Sequence, residues 1–398
     1  MTLNTNLREE LDEKRSLSSW MKSVGMKFNP FEILESSGDP NLSKYMINHD
    51  EFVNTWGNWP SFVFAPPGAG KTAMRIRLTQ ACFTGGENNR PFPVNYSLPF
   101  LKWGGHSVSF DDHLSEITRL VGLYLLLYIS YRPHRFFELS AKDRKYMVNT
   151  FNWVLPGSLE TFIEPSRQTK DLQYLKHYFP PATLPSLQET EPDELSRLWR
   201  ALESDYSPNT RQISVYEKWE SVVNVLINLL KFSSIYLMVD GVDASPDTSE
   251  SPEISLKYLF PLLSKTEMWN SNNIFLKFFL PVDVEPFIKR DFNELLEFVK
   301  PIRIEWNLSG LTDLIRKRVY VASQGKFGSL QTLTSPAVSE EIEMEIARAV
   351  EPLPREMLVF VDQLLLNHVR SKRIHHQIQL EEFDATLAWY KKDRELLG

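Results

Sequence analysis

The amino-acid sequence predicts an α/β fold in which a parallel β-sheet lies between two layers of helices, three layers in all. Short apolar runs alternate along the chain with segments whose apolar residues recur at helical spacing. One of these runs ends in a glycine-rich turn that leads directly into a helix, and the pattern after residue 309 is helical almost to the end. Because parallel strands need a crossover between them, this alternation favours a parallel sheet.

The individual elements follow from the same patterns. The predicted strands cover residues 61–64, 92–96, 234–240, 274–280 and 302–306. Helices are predicted over 72–81, from Asp111 or Asp112 to about 131, and over 193–203, 215–230, 311–322, 339–350, 355–369 and 380–391. The segment at about 133–212 contains repeated proline breaks and no convincing strand, so we interpret it as a helical insertion.

The most specific motif is the sequence Ala-Pro-Pro-Gly-Ala-Gly-Lys-Thr at residues 65–72. Small residues in such a turn let backbone N–H groups surround a polyphosphate, while the lysine supplies positive charge and the threonine a hydroxyl for Mg²⁺. The following helix directs the positive end of its dipole at the same phosphates. The usual pattern has glycine at the first position, whereas this chain has Ala65. The position requires a small residue more than it requires glycine. A nucleoside triphosphate is therefore predicted to bind Ala65, Pro66, Pro67, Gly68, Ala69, Gly70, Lys71, Thr72 and Ala73.

A second motif begins where the strand over 234–240 ends. Asp240 follows five apolar or aromatic residues, and a carboxylate at a strand end can hold Mg²⁺ opposite the Thr72 hydroxyl. A turn-capping role is the alternative. Many hydrolytic ATPases place a glutamate next, to polarise the attacking water, but this chain has Gly241. Asp243 is then the candidate base, with an ordinary turn aspartate as the alternative, and we expect slow, gated hydrolysis.

Residues 65–72 and the Asp-Gly-Val-Asp sequence at 240–243 together resemble the AAA+/STAND division of P-loop ATPases, bacterial proteins of initiator or NTPase-switch type. The resemblance covers about residues 29–370. It implies a three-layer P-loop NTPase fold with ATP and Mg²⁺ as cofactors. It also implies catalytic roles for Lys71, Asp240 and Asp243.

The resemblance implies the following domain order. An N-terminal helix and linker (1–28) precede a P-loop ATPase core (29–308) that carries the helical insertion, and a helical lid (309–370) and a C-terminal helical segment (371–398) follow. ATP is expected between the core and the lid, so that the lid position depends on the γ-phosphate.

Further roles are implied for residues outside the two motifs. Asn29, Pro30 and Phe31 are similar to a segment that packs near adenine, with anchoring of a loop by the phenylalanine as the alternative. Arg355 opens a helix and resembles a lid arginine that reaches the γ-phosphate, which a guanidinium suits. A surface salt bridge is the alternative for this arginine.

An assembly-dependent ATPase of this type also needs an arginine from the neighbouring subunit. Arg290 occupies about the stretch where the family pattern has it, late in the helix before the last strand. Arg303, Arg316 and Arg318 are close enough in sequence to compete for the role.

Composition argues against several classes of function. The chain has 44 Lys and Arg against 51 Asp and Glu, a formal charge of −7, so binding of nucleic acid is not favoured. The single cysteine, Cys82, excludes an internal disulfide framework and a cysteine-cluster metal site. The N-terminus lacks an apolar signal-peptide core, and the longest apolar run, 121–129, is too short to span a bilayer. We expect a soluble, cytoplasmic protein with no membrane contact.

The sequence thus favours a nucleotide-dependent switch or assembly component that binds ATP, hydrolyses it slowly and self-associates. A role in bacterial defence or signalling, with a separately encoded effector, is implied by the resemblance alone. Two alternatives stay open: a DNA-remodelling ATPase similar to initiators or transposition regulators, and a non-hydrolysing nucleotide-dependent scaffold. The insertion is expected to protrude and carry partner contacts, with packing on the sheet edge as the alternative. Its removal is expected to spare ATP binding.

Overall fold

The computed structural model describes residues 2–47, 49–84, 90–98, 107–157, 159–179, 190–205, 213–249, 251–265, 273–371 and 377–397. Its contacts divide the chain into two compact units. We call residues 51–66 and 71–303 the sheet unit, and residues 1–50, 67–70 and 304–398 the helical unit. In the described part of the chain, no helix is both long and apolar enough to cross a membrane.

The sheet unit contains a five-stranded parallel sheet, which confirms the predicted α/β class. The strands are β1 (Ser61–Ala65), β2 (Pro91–Ser97), β3 (Ser234–Asp240), β4 (Ile274–Pro281) and β5 (Lys300–Arg303), in the order β2-β3-β4-β1-β5. Every neighbouring pair is parallel, and Ala65 lies opposite Pro281 while Ser97 lies opposite Asp240. The carboxyl ends of the strands therefore share one edge of the sheet.

The helices of both units are numbered in chain order over the described residues. They are α1 (Thr2–Ser23), α2 (Leu42–Tyr45), α3 (Glu51–Thr55), α4 (Lys71–Thr84), α5 (Phe110–Tyr131), α6 (Pro133–Phe137), α7 (Ala141–Val154), α8 (Leu159–Thr169), α9 (Gln173–Lys176), α10 (Pro192–Ser204), α11 (Val215–Asn224), α12 (Pro246–Ser249), α13 (Pro252–Leu263), α14 (Glu285–Asp291), α15 (Leu308–Ala322), α16 (Ile342–Ala349), α17 (Pro354–Arg370) and α18 (Leu380–Leu397). Short 3₁₀ segments cover Ser36–Gly38, Val282–Val284, Asn293–Glu297 and Leu330–Leu333.

Two of the differences between predicted and observed boundaries have a clear physical reason. β5 was expected over 302–306 but pairs with β1 from Lys300 and ends at Arg303. It is an edge strand whose residues are exposed except Ile302, so its apolar signal is weak. The predicted helix over 215–230 is α-helical only to the end of α11 and continues as a π-helical turn, Val225–Leu229.

The described helices of the insertion pack against α5 and α11 of the sheet unit and against one another. Phe136, Phe151 and Trp199 are fully buried and belong to the same hydrophobic cluster as Phe92 of β2 and Leu237 of β3. The apolar faces of α6 and α7 thus extend this core beyond α5 and α11, and α10 packs on α6 and α8. The apolar faces of these helices are used in packing within the sheet unit, and a partner role for the insertion stays a prediction; residues 158, 180–189 and 206–212 lie outside the described residues.

The helical unit has a core of its own. Leu311 of α15, Ile346 of α16 and Phe360 of α17 are fully buried in one hydrophobic cluster. The N-terminal α1 contributes Leu17 and α18 contributes Tyr390 to the same cluster. Both ends of the described chain are therefore held by this core.

Candidate functional site

The glycine-rich loop lies between β1 and α4, as the sequence predicts. β1 ends at Ala65 and α4 begins at Lys71. Gly68 and Gly70 have φ angles of +83° and +97°, a region that residues with a side chain rarely adopt. Ala65 is extended in β1, where no positive φ is required, so an alanine satisfies the position that usually has glycine. Pro66, Pro67 and Ala69 complete the turn, and Ala73 lies in the first turn of α4.

Lys71 is folded back against the loop in the sheet unit. Its side chain is 8% exposed, and its Nζ donates to the backbone oxygens of Ala65 (3.1 Å) and, at the limit of a hydrogen bond, Pro66 (3.5 Å). The same Nζ lies 3.4 Å from Oδ2 of Asp243. The ammonium therefore has both a carboxylate and carbonyl oxygens as partners at the mouth of the loop.

Asp240, the last residue of β3, receives three hydrogen bonds. Its Oδ2 accepts from Thr72 Oγ1 (2.9 Å) and from Arg75 Nε (2.8 Å). Its Oδ1 accepts from the backbone N–H of Gly241 (2.8 Å). The structure thus brings Thr72 and Asp240, the two predicted metal-binding residues, into direct contact.

Gly241 explains how Asp243 reaches Lys71. The φ of Gly241 is +73°, and the N–H of Ala244 donates to the Gly241 oxygen at 3.2 Å, closing a turn directly after β3. This turn brings Asp243 to the ammonium of Lys71. A glutamate at position 241 would be strained in this conformation, so the absence of the usual glutamate has a backbone cause.

The sequence interpretation missed Arg75. Its side chain is only 4% exposed, and its bond to Asp240 joins α4 to the end of β3. Residues three apart on a helix share a face, so the spacing from Thr72 to Arg75 was the signal that could have located it.

In the helical unit, Arg355 contacts the loop residue Gly68. The N–H of Arg355 donates to the Gly68 oxygen at 3.3 Å, and a Cβ built on Gly68 would lie 2.8 Å from Cβ of Arg355. The guanidinium donates to Oε1 of Glu35 at 2.9 Å in an exposed ion pair. This is the salt-bridge alternative, so contact with a γ-phosphate stays a prediction.

Asn29, Pro30 and Phe31 anchor a turn in the helical unit. The Asn29 amide donates to Oδ1 of Asp362 at 2.7 Å, and its oxygen accepts from the N–H of Phe31 at 3.0 Å. Phe31 is fully buried in the core of that unit, and Arg318 donates to the Pro30 oxygen. Burial raises the pKa of Asp362. This placement fits the anchoring alternative, and contact with adenine stays a prediction.

The candidate trans-acting arginines differ in exposure. Arg290 is exposed at the end of α14, where Nε and Nη2 bind the Asp291 carboxylate at 2.7 and 2.8 Å. Arg303 forms a two-point contact with Glu285. Both side chains are more than half exposed, so burial does not distinguish which of them is the better candidate for contacting a neighbouring subunit.

The two remaining arginine candidates lie in the helical unit. Arg316 is 3.7 Å from the buried carboxylate of Glu343. Arg318 is buried, 3.7 Å from Asp39, with its guanidinium over the Tyr45 ring. Burial lowers the pKa of Arg318 and raises that of Tyr45. Arg318 therefore has a packing role and is withdrawn as a candidate for reaching another subunit.

No family model, curated protein or solved structure matches this chain. In the described residues, no group of three or more His, Cys, Asp or Glu side chains could hold a metal ion by itself. A cation at Thr72 and Asp240 would therefore take its other ligands from a bound anion and water, as Mg²⁺ commonly does.

Proposed function

We propose that this protein binds ATP and Mg²⁺ at the loop of residues 65–72 and hydrolyses ATP slowly, as a three-layer P-loop ATPase. The observation that carries the proposal is the meeting of the two sequence motifs at the carboxyl edge of the sheet. Thr72 bonds to Asp240 at 2.9 Å, and Lys71 pairs with Asp243 at 3.4 Å. Ligands of open parallel sheets bind at this edge.

The residues fit a polyphosphate with a divalent cation. Two glycines with positive φ let the backbone approach a ligand closely, and the N-terminus of α4 favours an anion. Lys71 would bind the β- and γ-phosphates, while Thr72 and Asp240 would hold Mg²⁺. The bound cation would neutralise charge that develops on the transferred phosphoryl group.

Asp243 is the proposed base for the attacking water. It lies three residues beyond Asp240, and its carboxylate is already paired with Lys71. A carboxylate in an ion pair must rearrange before it can orient a water molecule, which supports slow, gated turnover. A non-hydrolysing scaffold is the second candidate, because Gly241 occupies the position where a glutamate would act.

The contact of Gly68 with Arg355 is the basis for proposing a switch function. The loop backbone would have to adjust to phosphates, and Arg355 bonds to that backbone. ATP would thereby change the position of Arg355, and with it the start of α17. We propose that this change drives self-association in the cytoplasm and capture of a separate effector protein. The charge of −7 does not favour the alternative of DNA remodelling.

Light scattering of the purified protein tests the switch. Particle mass is measured without nucleotide, with ATP and Mg²⁺, and with ADP and Mg²⁺, and phosphate release is followed in the same samples. The proposal predicts a larger particle with ATP than with ADP, and slow phosphate release. Equal masses in all three samples would contradict the switch, and ATP binding without phosphate release would favour the scaffold.

A further inference from the structure

Arg75 forms a buried ion pair with the carboxylate that is proposed to hold Mg²⁺. Its Nε lies 2.8 Å from Oδ2 of Asp240, and the two side chains are 4% and 5% exposed. The same oxygen accepts from Thr72 Oγ1 at 2.9 Å. Oδ2 of Asp240 therefore accepts hydrogen bonds from both the Thr72 hydroxyl and the Arg75 guanidinium.

The hydrogen bonds leave Asp240 with little free capacity. Oδ1 accepts from the N–H of Gly241, so three donors converge on this carboxylate. An arginine is always charged at physiological pH, and a buried charge is screened little by solvent. The cation that Asp240 would attract is thus opposed by a fixed positive charge in contact with the same group.

A buried polar chain fixes the helix turn that carries Arg75. The hydroxyl of Thr79 lies 3.0 Å from both the Arg75 oxygen and Oδ1 of Asn95 in β2. The Asn95 amide donates to the hydroxyl of Tyr124 in α5 at 2.8 Å. These contacts join α4 to a strand and a second helix and fix the backbone at Arg75, whose buried side chain bonds to Asp240.

We propose that Arg75 is a positioning residue that holds Asp240 against Thr72 and competes with Mg²⁺ for its carboxylate. ATP binding is consequently less dependent on Mg²⁺ than it is without the arginine. This inference rests on the proposed function and adds a regulatory property to the same site, namely a nucleotide affinity that is buffered against the supply of the cation.

The test compares ATP affinity in excess Mg²⁺ with that in EDTA, by calorimetry. The quantity of interest is the ratio of the Kd in EDTA to the Kd in Mg²⁺. Arg75→Gln is expected to raise this ratio roughly tenfold, the size of the repulsion between a dication and a nearby guanidinium even at the dielectric constant of water. Arg77→Gln removes an equal charge from the same helix and is expected to change the ratio by less than about twofold, since screening weakens more distant charges.

Breaking a buried ion pair can unfold a protein, so Arg75→Lys is measured as well. The ammonium keeps the positive charge but not the guanidinium geometry, so the ratio is expected to rise by less than in Arg75→Gln. An unchanged ratio in a folded Arg75→Gln variant, or a larger rise in Arg75→Lys than in Arg75→Gln, overturns the inference.

A measurement on the wild-type protein covers the case in which Arg75→Gln does not fold. The Nε–H resonance of Arg75 is followed by NMR with ¹⁵N-labelled arginine while Mg²⁺ is added to the ATP complex. A shift of this resonance is expected, and its absence overturns the inference. A wild-type protein that binds no ATP in either buffer is a different result, because it refutes the proposed function itself.

Discussion

Lys71 and Asp243 form an ion pair of 3.4 Å at the carboxyl edge of the sheet, with the lysine buried and the aspartate three-quarters buried. The pair joins the first residue of α4 to the turn after β3. It exists because Gly241 adopts a positive φ and turns the chain back toward the loop. The two sequence motifs are therefore one structural feature, and the first prediction concerns the acidic member of this pair.

Asp243→Asn is expected to abolish phosphate release while preserving ATP binding. An amide of the same size cannot accept the proton of the attacking water, and loss of a general base typically costs about 10²–10⁴-fold in rate. ATP affinity by calorimetry and turnover by phosphate release are measured together, with Asp283→Asn, at an exposed position, as the control. A variant that hydrolyses ATP at the parent rate would remove Asp243 from the mechanism.

Gly241→Ala is expected to lower the free energy of unfolding by about 1–2 kcal/mol, because a Cβ is strained at positive φ. The built Cβ has ordinary contacts, 3.7 Å to Ala244 and 3.9 Å to Ser97, so crowding does not contribute. Urea denaturation measures the loss. Gly328→Ala is the control, since its Cβ would meet nothing within 4 Å. Equal stabilities of the two variants would show that the turn tolerates a side chain.

Lys277→Met in β4 is expected to lower the free energy of unfolding substantially. The side chain is fully buried, and its Nζ donates to the oxygens of Thr55 (2.7 Å), Gly57 (3.1 Å) and Trp59 (3.2 Å). Methionine fills the same space but leaves these carbonyl groups without that donor, which costs about 2–4 kcal/mol. Urea denaturation measures the change, and a loss below about 0.5 kcal/mol would contradict the assigned role.

The free energy of unfolding is expected to depend on pH because of the same lysine. Burial lowers the pKa of Lys277 from 10.5 to about 7. Between these values the unfolded chain binds more protons than the folded protein, so this group makes stability rise with pH, by up to about 1.4 kcal/mol per unit. Denaturation of wild type and Lys277→Met from pH 6 to 10 checks the sign. Wild type is expected to gain stability relative to the variant above about pH 7, and parallel curves would contradict this expectation.

Trp199→Ala tests whether the insertion is part of the sheet unit. The ring is fully buried in the hydrophobic cluster of the sheet unit, so its removal is expected to cost about 3–5 kcal/mol. Arg200→Ala changes the adjacent, exposed position of the same helix and is expected to alter stability by less than about 0.5 kcal/mol. Excision of the whole insertion should therefore unfold the unit. Similar stabilities of the two point variants would restore the expectation of a dispensable insertion.

The sequence could predict the elements whose signal is local. β1 and β3 have continuous apolar runs, β4 is apolar apart from Lys277, and the loop has glycines where the backbone needs positive φ at Gly68 and Gly70. The sequence also predicts that Thr72 and Asp240 lie opposite each other, because the strand end and the helix start follow from the same patterns. The structure brings these two residues within hydrogen-bond distance.

Features that depend on distant partners could not be predicted in this way. Arg75 and Lys277 are charged residues that a pattern assigns to the surface, yet each is buried because a carboxylate or a set of carbonyl groups accepts its hydrogen bonds. The core contacts of Trp199 are set by how the helices of the insertion pack on one another, which no local signal encodes. The start of β5 is set by pairing of Lys300 with Ser61 and not by hydrophobicity.

The most direct test of the central claim is calorimetric titration of wild type and Lys71→Ala with ATP and Mg²⁺. Lys71 is the charged residue of the loop, and removal of a charged partner from a buried site typically costs about 2–5 kcal/mol, so affinity is expected to fall roughly a hundredfold or more. Arg77→Ala, on the same helix, should retain wild-type affinity, and circular dichroism establishes that both variants are folded. A folded Lys71→Ala protein with wild-type ATP affinity, or a wild type that binds no ATP, would contradict the account.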